Sequence, residues 1–126
     1  MIGSAASNTG ETSLSKANAA QSGSISHSYK VRARPLDDIV RESGVNRVDV
    51  IKIDVEGAEY LVLKGTRETL AKYHPMVLVE LLDHQLRQMG SSVAQVREFL
   101  REQGYAERRT LGDNVEFMYR SAMASR

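Results

Sequence analysis

The sequence predicts an α/β fold, with a mostly parallel sheet that ends in a C-terminal antiparallel hairpin. Two observations support this prediction. Strand-like apolar runs alternate with helical patterns, and the run from Val48 to Asp54 is nearly continuous, as in a strand covered on both faces. Near the end of the chain, Gly112-Asp113-Asn114 separates two strand-like segments, Tyr105 to Leu111 and Val115 to Tyr119, which is typical of a hairpin.

Composition separates the first 27 residues from the rest of the chain. Residues 1–27 are rich in Ser, Ala, Asn, Gly and Thr, and they hold too few large apolar residues to offset the entropy lost on ordering. We therefore expect a flexible, loop-like segment there. Residues 28–126 carry apolar residues at regular intervals, so the folded part of the chain is expected within this range.

A strand and a helix are expected directly after this boundary. Tyr29 to Arg34 alternates apolar and polar residues, a pattern typical of a short strand. Pro35 suits the first turn of a helix, and the helix expected over Leu36 to Ser43 is followed by Gly44, a residue type that commonly ends helices.

The middle of the chain predicts two helical pieces and a strand. Gly65 interrupts a helical stretch, so one piece is expected over Ala58 to Leu63. A second piece, capped by Thr66, should run to about Tyr73. A short apolar run then predicts a strand over Met76 to Leu81.

A later helix has clear signals at both ends. Ser91 and Ser92 are candidate capping residues, and Gly104 is a candidate terminator. Between them, four apolar side chains recur on one helical face: Val93, Val96, Phe99 and Leu100.

Composition also bears on function. The chain has 126 residues and a net charge of +1, so it lacks the electrostatic signature of a protein that binds nucleic acid or a membrane surface. Cysteine is absent, which excludes disulfides and cysteine-based metal sites or nucleophiles. No signal-peptide pattern opens the chain and no apolar run could span a bilayer, so we expect a cytoplasmic protein.

Three carboxylates follow two of the predicted strands. Asp54 and Glu56 come at the end of the first, before a tight turn at Gly57, and Glu80 ends the second. Because ligands of open α/β sheets bind beyond the carboxyl ends of strands, these acids are the candidate catalytic residues. Their chemistry suits a general base for a substrate hydroxyl or a Mg²⁺ site. The alternative is structural, with Glu56 capping the next helix and Asp54 accepting backbone N–H groups.

Two further polar residues lie close to these acids in sequence. Lys52 lies inside the apolar strand, where an ion pair with Asp54 or Glu80 is favoured over a contact with substrate. His84, four residues after Glu80, is a candidate base or ligand. A nucleotide-hydrolysis site is rejected because the phosphate-binding pattern Gly-x-x-x-x-Gly-Lys-Ser/Thr is absent.

Three segments of the chain together match the sequence pattern of a known protein family. They are Pro35 to Ile39 (PLDDI), Ile51 to Glu59 (IKIDVEGAE) with the following Leu63-Lys64-Gly65, and Pro75 to Glu80. Together they resemble the FkbM-type methyltransferase family, over roughly Ser4 to Tyr119. The resemblance implies a class I, Rossmann-like methyltransferase sheet of seven strands. The strand ending at Asp54 would be the fourth of these and the strand ending at Glu80 the fifth.

The resemblance also implies a function. Family members use S-adenosylmethionine, and the expected reaction is O-methylation of a small molecule or sugar, with Asp54, Glu56 and Glu80 at the acceptor. The family's early strand, which ends in Asp-x-Gly-Ala-x-x-Gly-like residues, is not in this sequence. Residues 28–126 are therefore expected to be the C-terminal part of a methyltransferase domain. The alternative is a non-catalytic fragment or an interaction module that does not bind the cofactor.

An exposed sheet edge is a further expectation from the resemblance. In the family's sheet, the outer neighbour of the strand Val48 to Asp54 is the first strand, which this sequence lacks. Long apolar edges pair readily with other chains. We therefore expect this strand to form a homo-oligomer contact or to recruit another segment.

Overall fold

A computed structural model describes residues 2–3, 12–13 and 29–124. Most of the segment 1–27, for which flexibility was expected, lies outside the described residues. Two short strands are described within it: β1 (Ile2–Gly3) pairs antiparallel with β2 (Thr12–Ser13).

Six helices and four further strands follow in the described part of the chain. The helices are α1 (Leu36–Ser43), α2 (Glu59–Lys64), α3 (Arg67–Tyr73), α4 (Asp83–Gln88), α5 (Val93–Glu102) and α6 (Arg120–Ala124). The strands are β3 (Val50–Ile53), β4 (Met76–Glu80), β5 (Tyr105–Leu111) and β6 (Asn114–Tyr119).

The four longer strands form one mixed sheet in the order β3-β4-β6-β5. β3 and β4 are parallel, whereas β6 is antiparallel to both β4 and β5. The described sheet is thus α/β as predicted but not mostly parallel, because one of its three pairings is parallel. The reason is that β5 and β6 form the predicted hairpin and β6, not β5, lies beside β4. A tight turn joins only antiparallel neighbours.

The core lies on one face of this sheet, where alternate residues of each strand meet the helices. Ile51 and Ile53 of β3 are buried there, while Val50 and Lys52 point to the other face and are exposed. Each helix from α2 to α5 contributes buried side chains to the same cluster: Leu63, Leu70, Leu86, Val96, Phe99 and Leu100. The carboxyl ends of β3 and β4 are therefore held in place by the hydrophobic core.

Several predicted elements are confirmed with their end signals. α1 ends at Gly44, which has a left-handed φ of 74°, and α5 begins at Ser92, whose side chain accepts a hydrogen bond from the Gln95 amide. Thr66 precedes α3 but does not cap it. The Thr66 hydroxyl donates instead to the Val62 carbonyl, at 2.5 Å.

Two elements differ from the sequence-based expectation. Tyr29 to Arg34 is not a strand: these residues are exposed and no described strand pairs with them. The helix α4 was not predicted, because its six residues are too short for a clear apolar period and Leu86 is its single buried residue. Within the described residues, no helix is both long and apolar enough to cross a membrane.

Candidate functional site

Asp54, Glu80 and Asn114 form a row at one end of the sheet. Ile53 is paired with Val79, so Asp54 and Glu80 are the next residues along their two parallel strands. Glu80 is in turn paired with Asn114 at the start of β6. Because residues in register point to the same face, the three polar side chains lie side by side on the face opposite the core.

The carboxyl groups of Asp54 and Glu80 interact directly. A hydrogen bond that protonated Glu80 donates to Asp54, together with burial and the negative charges of Asp54, Glu56 and Glu59, raises the pKa of Glu80 from 4.5 to about 7. The neighbouring negative charge disfavours the ionised form of Glu80. The Glu80 carboxyl group can therefore accept or release a proton near neutral pH.

A strained turn follows Asp54. Glu56 has a φ of 54° and Gly57 a φ of 104°, and both lie in the left-handed region. Oε1 of Glu59 accepts hydrogen bonds from the backbone N–H groups of Val55, at 3.2 Å, and Gly57, at 3.3 Å. The buried Glu59 side chain therefore holds the turn from below, as a capping residue would.

The helix α4 closes on the same turn from the other side. Nε2 of Gln85 donates to Oε2 of Glu56 at 2.7 Å, which fixes the direction of that carboxylate. The carbonyl group of Gln85 packs so tightly on Gly57 that a Cβ there would lie 2.8 Å from the carbonyl carbon. The loop carrying the acids is thus clamped between Glu59 and Gln85.

The structure brings the predicted acids together but changes their partners. Asp54 is exposed at the rim, Glu80 is half-buried beside it, and Glu56 is held by Gln85. The turn amides of Val55 and Gly57 bond to Glu59, not to Asp54. The structural alternative for Asp54, acceptance of backbone N–H groups, is not supported at these amides.

The two other candidate residues stay outside this arrangement. Lys52 is exposed, and no ion pair described for the folded part of the chain includes it, so the expected pair with Asp54 or Glu80 does not form. His84 is exposed on α4. Both side chains therefore face solvent near the site without contributing a described contact to it.

Sequence reasoning missed three residues of the site: Glu59, Gln85 and Asn114. Glu59 is 2% exposed, although a charged side chain in the first turn of a helix is usually exposed. The signal that could have found it is the Asp-x-Glu-Gly-x-Glu spacing, which places an acid below the turn amides. No sequence signal pointed to Gln85 or Asn114, because only the fold brings α4 and β6 to Asp54.

Two oxygen atoms at this end of the sheet are buried without a hydrogen-bond partner among the described residues. They are Oε2 of Glu59 and, in the amide orientation assigned here, Oδ1 of Asn114. Asn114 is paired with Glu80 across the two strands. The negative charge of Glu59 contributes to the raised pKa of Glu80. Each oxygen could accept a hydrogen bond from a bound donor or an ordered water.

A metal site does not form here. Among the described residues, no three His, Asp or Glu side chains converge closely enough to hold a metal ion. The expected Mg²⁺ site is therefore not supported.

The fit of a dinucleotide-like cofactor can be judged at the strand-to-helix turn. A cofactor cradle needs glycines that leave room for the ligand to approach the backbone. In the described part of the chain, the turn after β3 contains Gly57, and the carbonyl group of Gln85 occupies the space beside this glycine. This turn therefore has no open glycine cradle.

Comparison with known proteins gives one family. The methyltransferase FkbM domain matches residues 3–106. The 2-O-methyltransferase NoeI of Sinorhizobium fredii is 41% identical over 56 residues, which are 44% of this chain and 23% of that protein. The AMB antimetabolite synthetase AmbE of Pseudomonas aeruginosa is 35% identical over 78 residues, 61% of this chain and 4% of that protein. The chain thus spans less than a quarter of either relative. No solved structure matches it.

Proposed function

Because the chain belongs to the methyltransferase FkbM domain family, we propose that it forms the acceptor side of an O-methyltransferase. The single observation that supports this role is the placement of Asp54 beside Glu80, whose pKa is raised to about 7, at the carboxyl ends of two parallel strands. The proposed substrate is a hydroxyl group of a small molecule or sugar. The relative NoeI, named as a 2-O-methyltransferase, supports oxygen as the acceptor atom.

The pair acts as the general base. A hydroxyl group is a weak nucleophile until its proton is removed or shared, and an acid with a pKa near 7 is suited to take that proton at neutral pH. The hydroxyl O–H bond breaks, the proton goes to the Asp54–Glu80 pair, and the oxygen forms a bond to the methyl carbon of a sulfonium donor. The donor loses its methyl group and becomes a neutral thioether.

The turn after Asp54 sets the geometry of this base. Glu59 and Gln85 hold the backbone and the Glu56 side chain in place, so the pair does not have to be ordered when substrate arrives. Family membership implies S-adenosylmethionine as the donor. The glycine-rich strand end that family members use for the donor is not found in residues 29–124, so in this proposal the donor is held by other polypeptide.

A second candidate function is a non-catalytic module that binds other polypeptides. The observation that favours it is the filled space at Gly57, which leaves no room for a cofactor at the described strand-to-helix turn. In that case the raised pKa of Glu80 would be a by-product of two acids meeting at a sheet edge.

Titration by NMR distinguishes a functioning proton-sharing pair from two independent acids. In this chain, Asp54→Asn should lower the pKa of Glu80 towards 4.5, because the main cause of its elevation is removed. Asp49→Asn, at the other end of β3 and paired with Arg47, is the matched control and should leave Glu80 unchanged. A Glu80 pKa near 4.5 in the unmodified chain would refute the pair.

Turnover tests the base itself. The test uses a full-length family member that has acidic residues at the positions matching Asp54 and Glu80. There, the change that corresponds to Asp54→Asn should lower the rate of methyl transfer about 10²–10⁴-fold while leaving donor binding intact. Unchanged turnover in a folded variant would refute the catalytic role and favour the non-catalytic module.

A further inference from the structure

The sheet end that carries the proposed base holds several acidic side chains. Asp54 and Glu80 end two neighbouring strands, and Asn114 lies beside Glu80 in the same row. The Leu81 amide donates to the Asp113 carbonyl at 2.8 Å, so the hairpin turn brings a further acid to this end. None of the ion pairs within the described part of the chain includes one of these three acids. The negative charge of this end is therefore not balanced by a described cationic side chain.

A buried carboxylate lies directly beneath the same end. Glu59 is 2% exposed, and its Oε1 atom accepts hydrogen bonds from the turn amides of Val55 and Gly57. Its Oε2 atom has no hydrogen-bond partner among the described residues. The negative charge of Glu59 acts on the Glu80 carboxyl group, so the two groups are close enough to interact. A buried charge without an opposite charge is costly, and a cation bound beside Glu80 would lower that cost.

The spacing of these acids favours an organic cation over a metal ion. A metal ion needs oxygen ligands within about 2.0–2.6 Å, and no three acidic or histidine side chains in the described structure converge closely enough. An ammonium group instead donates up to three hydrogen bonds of about 2.7–2.9 Å. Neighbouring strands are about 4.7–4.9 Å apart, so one ammonium group can reach acceptors on two of them.

The cationic side chains nearest to this row point elsewhere. Lys52 is two residues before Asp54 on the same face, but it is exposed and no ion pair found for the folded part of the chain includes it. On α4, Arg87 bonds to Asp83, and His84 is exposed. The row of acceptors is therefore complementary to a positive group that a ligand would supply.

We propose that the substrate of this site is an amino alcohol, whose ammonium group binds between Glu80 and Asn114 and whose hydroxyl group meets Asp54. This inference rests on the proposed function, because the hydroxyl group is the one that would be methylated. Oδ1 of Asn114, buried without a partner in the assigned amide orientation, would accept one N–H group after a rotation about the soft χ2 bond. The buried charge of Glu59 would attract the ammonium group from below without touching it.

A bound ammonium group would also prepare the base. With a pKa of about 7, about half of the Glu80 carboxyl groups carry a proton at pH 7. A positive charge nearby favours the ionised form, so ammonium binding would lower the pKa of Glu80, and ionisation of Glu80 would tighten ammonium binding. Other charged groups on the surrounding elements also act on this equilibrium: Asp54, Glu56, Glu59, Asp113, Lys52 and His84.

NMR titration of this chain with three small probes tests the proposal. Ethanolamine carries a hydroxyl and an ammonium group, and ethylene glycol replaces the ammonium group by a second hydroxyl. Choline keeps the positive charge but has no N–H group. At neutral pH and constant ionic strength, ethanolamine should bind about tenfold or more tightly than either of the other probes. It should shift the side-chain amide signals of Asn114 and lower the pKa of Glu80.

Variants of the chain locate the binding site. Glu59→Gln keeps an acceptor for the turn amides but removes the buried charge, and it should weaken ethanolamine binding about tenfold. Asn114→Leu removes the amide acceptor and should also weaken binding, which keeps the test decisive if Glu59→Gln does not fold. Glu102→Gln, at an exposed position on α5, removes one negative charge away from the row and should bind ethanolamine as the parent does.

The outcomes separate this inference from the proposed function. Equal binding of ethanolamine and ethylene glycol, or no binding of ethanolamine, overturns the amino-alcohol substrate and leaves the base, which the titration of Glu80 without probe tests by itself. Choline binding as tight as that of ethanolamine overturns it too, because the site would then recognise positive charge in general, including that of a sulfonium donor. Equal effects of Glu59→Gln, Asn114→Leu and Glu102→Gln overturn the assigned position. Ethanolamine binding by a chain whose Glu80 has an ordinary pKa refutes the base and supports the ammonium site.

Discussion

Gln85 occupies, with its backbone carbonyl, the space that a side chain at Gly57 would require. A Cβ built on Gly57 lies 2.8 Å from the Gln85 carbonyl carbon, and the Gln85 side chain bonds to the neighbouring Glu56. One residue of α4 thus controls both the close approach of the turn and the direction of a site carboxylate. The position of the acids after β3 depends on this contact between α4 and the turn.

Gly57→Ala should unfold or strongly destabilise the chain. The new methyl group meets backbone atoms that cannot move away, and the φ of 104° is unfavourable for alanine. We expect a loss of about 3 kcal/mol or more in the free energy of unfolding, measured by chemical denaturation. Gly44→Ala shares a positive φ but meets no atom within 4 Å, so it should cost only about 1 kcal/mol. Equal losses at the two sites would contradict the packing argument.

Glu80 should make the stability of the chain pH-dependent in a defined direction. Its pKa is raised from 4.5 to about 7, so between these pH values the folded chain binds more protons than the unfolded chain. The free energy of unfolding contributed by Glu80 therefore falls as the pH rises through this window. Glu80→Gln removes the contribution.

The measurement compares denaturation curves of the parent and Glu80→Gln between pH 4.5 and 7. The variant should gain stability relative to the parent as the pH rises. Glu102→Gln, at an exposed position on α5, is the control and should follow the parent at each pH. A constant difference between Glu80→Gln and the parent would show that Glu80 does not titrate abnormally.

Asp37 should be an important capping residue although it belongs to a different helix from the one it caps. Its carboxylate accepts hydrogen bonds from the backbone amides of Glu68, at 3.0 Å, and Thr69, at 2.9 Å, in the first turn of α3. Asp37→Ala should lower the free energy of unfolding by about 1–2 kcal/mol, as loss of an N-cap does. Asp38→Ala, which loses only an exposed pair with Arg41, should change it by less than about 0.5 kcal/mol.

Tyr105 should stabilise the chain through its buried hydroxyl. The hydroxyl donates to the Pro75 carbonyl at 2.7 Å, and burial raises the pKa of Tyr105 above its usual value. Tyr105→Phe leaves that carbonyl unsatisfied, so we expect a loss of about 1–2 kcal/mol in thermal or chemical denaturation. The control is Tyr73→Phe, which removes an exposed hydrogen bond of 3.4 Å and should have little effect. Similar losses in the two variants would refute the role of burial.

Local patterns in the sequence determined the elements with strong periodicity or clear end signals. α1 and α5 were predicted from their apolar spacing and from the end signals Gly44 and Ser92. These effects act over a few residues, so the sequence alone reveals them. The hairpin followed from Gly112 and Asp113 for the same reason. The carboxylates Asp54, Glu56 and Glu80 were selected as candidates because they follow apolar runs that predict strands, and the structure confirms both strands.

The tertiary structure alone decided the arrangement and partners of these elements. Strand order depends on contacts between residues far apart in the chain, so the placement of β6 beside β4 could not be predicted from local sequence patterns. The same holds for Glu59 and Gln85, whose roles arise from contacts in the folded chain, and for Asp37, which caps a helix some thirty residues away. Such side chains gain their function only when folding removes them from water and gives them one neighbour, and a linear pattern of residues does not record that neighbour.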